Sequence, residues 1–102
     1  MENLNEKIVK FLNDSHKTIS FMESCTGGFL ANVITNISGA SNVLKVSLVT
    51  YSNEYKIHFG VSKQAIDTYT VYSKESAKEM AKVISDFANS DFGVGITGEL
   101  RK

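Results

Sequence analysis

The chain reads as a single α/β domain. Three observations predict this class. Apolar residues recur at helical spacing in several segments, most clearly Ala77, Met80, Ala81, Ile84, Phe87 and Ala88. Short extended runs lie between those segments, and Val43 to Tyr51 is the clearest of them. The order strand, helix, strand across the first half of the chain is that of a βαβ crossover between parallel strands. An antiparallel second strand is also compatible with the sequence.

The elements follow in order. Leu4, Ile8, Phe11 and Leu12 form one stripe with Val9 beside it, which predicts an amphipathic helix over residues 3 to 15. Asn13-Asp14-Ser15-His16 breaks it, with His16 as a solvated loop residue. Thr18 to Met22 is a first strand. After Glu23-Ser24-Cys25-Thr26-Gly27-Gly28, the recurrence of Phe29, Leu30, Val33, Ile34 and Ile37 predicts a second helix from about Thr26 to Asn36. Residues Ile37 to Asn42 are dense in turn formers. Val43 to Tyr51 carries apolar residues on both faces, as in a strand covered on both sides. Ser52 or Asn53 caps a short helix stopped by Gly60. Ser62 caps a further turn to Tyr69, and Ser73 caps the helix of the Ala77 face. Phe92-Gly93-Val94-Gly95-Ile96 is a third strand, glycine-rich and therefore weak alone. Thr97-Gly98 closes it.

Composition excludes several classes. At 102 residues there is room for one small domain. Eleven Lys plus Arg balance eleven Asp plus Glu, and the basic residues are scattered. That argues against nucleic acid or a membrane surface as partner. One cysteine gives no internal disulfide and fits a reducing compartment. With two separated histidines it makes no zinc pattern. No apolar run approaches the ~20 residues of a membrane span. The polar, acidic N-terminus is unlike a signal peptide, so we expect a cytoplasmic protein.

The chemistry concentrates at residues 21 to 28. A strand that stops at a small polar turn and enters a helix offers backbone N–H groups to a phosphate or a developing oxyanion. Ser24 and Cys25 are both candidate nucleophiles there, and a capped loop–helix junction is the plainer reading. With parallel strands, Ser24, Lys56 and Thr97 gather at one sheet edge, where open α/β sheets bind ligands. A serine hydroxyl needs a base, and a lysine serves once burial lowers its pKa. The N–H groups of Cys25, Thr26 and Gly27 are the expected oxyanion donors. Such a set suits hydrolysis of an amide or ester. Cys25 has a second nucleophilic reading, because a helix N-terminus lowers a thiol pKa.

A set of motifs then recurs in order: Glu23-Ser24-Cys25-Thr26-Gly27-Gly28, Ser38-Gly39-Ala40-Ser41, Tyr51-Ser52-Asn53-Glu54-Tyr55-Lys56, Gly60-Val61, Val71-Tyr72-Ser73-Lys74-Glu75-Ser76-Ala77 and Gly95-Ile96-Thr97-Gly98. The chain resembles the CinA C-terminal domain family, found in competence/damage-inducible proteins and alone as a nicotinamide-nucleotide amidohydrolase. The resemblance implies a three-layer α/β/α sandwich over residues 1 to 102. It implies deamidation of nicotinamide mononucleotide to nicotinic acid mononucleotide and ammonia, with no metal or organic cofactor. Ser24 would be the nucleophile and Lys56 its base. Cys25, Thr26, Gly27, Gly28, Thr97 and Gly98 would border the substrate, and Tyr51, Ser52 and Asn53 would shape the pocket around Lys56.

The chain also departs from the family. Thr70-Val71-Tyr72 stands where a glycine-containing run is common, and Glu99-Leu100-Arg101-Lys102 replaces the usual continuation after Thr97-Gly98. The resemblance therefore predicts a sheet truncated at its C-terminal side, with an uncovered edge that homo-oligomerisation would close. A second functional reading goes with that truncation: an inactive homologue that binds nucleotide or a protein partner.

Overall fold

The computed structural model describes residues 3–98, so the departure at residues 99–102 lies outside the described residues. The elements run α1 (Leu4–Ser15), β1 (Ile19–Glu23), α2 (Phe29–Thr35), β2 (Leu44–Val49), α3 (Asn53–His58), α4 (Lys63–Tyr69), α5 (Lys74–Ala88) and β3 (Phe92–Ile96). A short 3-10 turn at Ala40–Asn42 precedes β2. The sheet order is β2-β1-β3, and both pairings are parallel. This resolves the open question of strand direction.

Alternation along β1 builds the layers. Phe21 turns to one face and packs with Val9 and Leu12 of α1 and Ile34 of α2. Met22 turns to the other and packs with Val61, Ile66 of α4, and Met80 and Ile84 of α5. Two small cores on opposite faces of one sheet give a three-layer arrangement, as expected for a parallel sheet. No helix among the described residues is long and apolar enough to cross a membrane.

Several elements differ from the expectation in instructive ways. Only Val9 and Leu12 of the α1 stripe are fully buried, while Leu4 and Phe11 face out. On α5, Phe87 is exposed and Ser76 takes the buried position instead. β2 is an edge strand, and Val49 is half exposed although the run looked doubly covered. The glycines of β3 have a packing cause. A Cβ at Gly93 would strike the Ala81 carbonyl oxygen, and one at Gly95 would strike that of Ala77. The backbone of α5 lies directly on β3, and only glycine leaves room for it.

Candidate functional site

The parallel register aligns Glu23 of β1 with Val49 of β2 and Ile96 of β3. Ser24, Thr50 and Thr97 therefore follow their strands at a common edge. A cleft of about 500 Å³ opens there, lined by Ser24, Cys25, Gly27, Tyr51, Asn53, Lys56, Val71, Tyr72, Thr97 and Gly98. Eight of the eleven residues singled out from the sequence line it. Thr26, Gly28 and Ser52 do not, and each has a structural task.

Ser52 is the N-cap of α3, its Oγ accepting from the Tyr55 N–H at 3.2 Å. That cap starts the helix so that Lys56 falls one turn later and points back beneath the strand ends. Lys56 is 1% exposed. Its Nζ lies 3.1 Å from Ser24 Oγ, 2.5 Å from the Thr50 carbonyl oxygen and 3.5 Å from that of Tyr51. Among the described residues no carboxylate pairs with it, since the ion pairs join Lys10 to Asp14 and Lys63 to Asp67. Burial pushes the Lys56 amine below its ordinary value of 10.5, and the neighbouring Cys25 acts in the opposite direction.

The donor count follows. A neutral amine has two N–H groups and one lone pair. Nζ donates to Ser24 Oγ and to both carbonyls, and once the amine has lost its proton the two remaining N–H groups serve Thr50 and Tyr51 and the lone pair faces the Ser24 hydroxyl. Ser24 is itself buried, at 8% exposure. Cys25 lies at the cleft with its thiol free and half buried. A Cβ placed on Gly98 would stand 3.5 Å from its sulfur, which puts Gly98 across from Cys25.

The turn itself corrects the sequence reading. Helix α2 begins at Phe29, with Gly28 as its N-cap at φ 100° and no side-chain cap. It does not begin at Thr26. Its first-turn N–H groups are not free for a ligand, because the Glu23 carboxylate takes those of Leu30 at 2.9 Å and Ala31 at 3.2 Å. Gly27 is likewise unavailable as an oxyanion donor, since its N–H closes a turn onto the Ser24 carbonyl at 3.1 Å. The N–H groups of Cys25 and Thr26 donate to no acceptor among the described residues.

Glu23 was not among the expected site residues. It is fully buried, and it also accepts from Thr26 Oγ1 at 2.7 Å and Ser47 Oγ at 3.4 Å. Burial raises its pKa, and the bonds from Thr26, Leu30, Ala31 and Ser47 together outweigh that, holding the carboxyl below its ordinary 4.5. The signal was present: Glu23 shares a strand face with Phe21, so period two already pointed it at α2. Val71 and Tyr72 were quoted for the family resemblance but not placed at the site. They reach it because Thr97 Oγ1 donates to the Val71 carbonyl at 3.0 Å. No local pattern announces a contact between residues 26 apart in sequence.

Comparisons with known proteins identify the family and the fold. The model of the CinA C-terminal domain matches residues 1–99. A CinA-like protein of Petrotoga mobilis is 48% identical over 88 residues, 85% of this chain and 22% of its own length. Another CinA-like protein, from Kosmotoga olearia, is 42% identical over 98 residues, 95% of this chain and 24% of its own. This chain thus spans about a quarter of the length of the curated relatives it matches. Among solved structures, a CinA superfamily protein of Escherichia coli superposes with a TM-score of 0.84 at 28% identity, over 88% of this chain and 53% of that one. A competence or damage-inducible protein of Enterobacter asburiae superposes with a TM-score of 0.83 at 31% identity, over 86% and 56%. With matched sequence over nearly its whole length and the same fold beneath it, the chain belongs to the CinA C-terminal domain family.

Proposed function

We propose that this domain is a serine–lysine amidohydrolase that converts nicotinamide mononucleotide to nicotinic acid mononucleotide and ammonia. The observation that carries the reading is the buried Lys56 amine 3.1 Å from Ser24 Oγ, at a cleft and without a carboxylate partner among the described residues. A charged ammonium is disfavoured in such a place, and a neutral amine is a base.

The steps use groups already named. Lys56 takes the Ser24 proton as Oγ attacks the carboxamide carbon. The oxyanion that develops is met by the N–H groups of Cys25 and Thr26, each donor of this kind being worth roughly 2.7–4 kcal/mol. The ammonium of Lys56 returns its proton to the departing nitrogen, and ammonia leaves. Water, deprotonated by the same amine, then cleaves the ester and frees the acid. No metal or organic cofactor enters these steps.

Ammonia release from nicotinamide mononucleotide tests the reading. Wild-type protein releases it, and Ser24→Ala lowers the rate by about 10³-fold or more. Cys25→Ala keeps most of the activity. Equal rates for wild type and Ser24→Ala would overturn the assignment. Stabilisation by the nucleotide without turnover would favour a nucleotide-binding module instead.

A further inference from the structure

The loop between α4 and α5 is held in a conformation its own residues disfavour. Thr70 sits at φ 72° and ψ 156°, a region populated almost only by glycine. Three donors converge on its carbonyl oxygen: Ser73 Oγ at 2.8 Å, Ser76 Oγ at 2.7 Å and the Ser73 N–H at 3.3 Å. Ser76 is fully buried on α5, so the anchor is rooted in the core. One residue further, the Val71 carbonyl is tied to the end of β3 through Thr97. Tyr72 comes next, 56% exposed and lining the cleft. A strained backbone fastened from two elements fixes the segment from which this side chain projects, and strain of this kind gathers at ligand clamps.

The sheet order adds a second constraint. β2 and β3 flank β1, so Tyr51 after β2 and Tyr72, next to the Val71 tied to the end of β3, line the cleft from opposite flanks of the Ser24 strand. Among the described residues, no carboxylate lines the cleft. Its one amine, Lys56, is committed to Ser24 and two carbonyls. A flat, positively charged ring entering the cleft therefore finds its complementary charge in phenol π faces.

We infer that Tyr72 is a specificity-determining contact that stacks on an electron-poor, cationic heteroaromatic ring bound beside Ser24. The inference rests on the amidase reading for the identity of the ring. Tyr72 is exposed and makes no side-chain hydrogen bond among the described residues, so its replacement leaves the core untouched.

The test measures nicotinamide mononucleotide binding by calorimetry in the Ser24→Ala background, and steady-state ammonia release in the active one. Tyr72→Leu weakens binding of the oxidised nucleotide about tenfold. It weakens binding of the reduced nucleotide, whose ring is uncharged, less than twofold. Tyr72→Phe restores the affinity, because the ring and not the hydroxyl makes the contact. In the active background Tyr72→Leu raises KM about tenfold and leaves kcat within threefold. An unchanged denaturation midpoint shows that the fold is intact. Equal affinities of Tyr72→Leu and the parent for the oxidised nucleotide overturn the inference, while ammonia release by wild type leaves the amidase reading standing. A Tyr72-dependent affinity without ammonia release does the reverse. Absence of nucleotide binding overturns the inference whatever the activity.

Discussion

At the scale of the residue, Lys56 carries the cost and the use of the site together. The unfolded chain holds its lysine proton up to the ordinary 10.5, and the folded chain releases it earlier. Between those two values the unfolded state binds more protons, so stability rises with pH across that window. On the proposed mechanism activity rises through the same titration, because only the neutral amine accepts a proton from Ser24. We expect kcat/KM for ammonia release to climb with pH to an inflection below 10.5. Lys56→Arg, whose guanidinium keeps its proton, should be inactive at every pH. Thr70 makes a separate prediction. Its φ of 72° costs a β-branched residue about 1–3 kcal/mol, and Thr70→Gly should recover about 1 kcal/mol of that in urea unfolding. The same variant loosens the segment that holds Tyr72. Residue chemistry alone left Lys56 one of ten lysines, and the motifs of the family resemblance singled out Ser24 and Lys56, which the structure brings within 3.1 Å. The strain at Thr70 was not, since nothing local dictates a left-handed threonine.

At the scale of the element, the capping residues were the most readable part of the chain. Ser52, Ser62 and Ser73 each accept the N–H three residues on, as a hydroxyl before an apolar run predicts. Helix α2 was misplaced by three residues because its capping group arrives from the preceding strand. Glu23 gives that helix a buried carboxylate where serine or threonine was expected. Glu23→Ala leaves the Leu30 and Ala31 N–H groups and the Thr26 hydroxyl without that acceptor, and should cost about 3 kcal/mol. The Glu23 contribution is present above 4.5 and is lost as pH falls through its lowered pKa, so acid melting should reach this turn early. Strand β3 was placed correctly at Phe92–Ile96, but the reason for its glycines was not legible. Glycine leaves the strand weak alone, and the structure shows what it makes room for, the backbone of α5. Gly95→Ala forces a methyl group against the Ala77 carbonyl and should cost about 3 kcal/mol by urea unfolding, with loss of β3 pairing.

At the scale of the whole molecule, two cores lie back to back across three strands, and the site sits where those strands end. A domain so small has a modest reserve of stability. Ligand at 100 times its Kd adds about 2.7 kcal/mol, which for a chain of this size moves Tm by about 10 °C. Nicotinamide mononucleotide should produce that shift in the Ser24→Ala variant. The α/β class was legible because helical spacing and short extended runs alternate along the chain, while the three-layer form came with the family resemblance. Strand direction was not legible, because it depends on where α2 lies against the sheet. The cleft was half legible for a related reason: Tyr51, Asn53 and Lys56 follow one strand end within a few residues, whereas Val71 and Tyr72 arrive from a distant loop.

The central claim is that Ser24 is the atom acylated and Lys56 the group that activates it. Mass spectrometry of protein quenched during turnover of nicotinamide mononucleotide addresses this most directly. The account predicts an adduct of the nicotinic acid mononucleotide acyl group on the peptide bearing Ser24, mapped by fragmentation to the Ser24 hydroxyl. That adduct should remain in Cys25→Ala and be absent from both Ser24→Ala and Lys56→Met. An acyl group found on the Cys25 sulfur, or ammonia released at an undiminished rate by Lys56→Met, would contradict it.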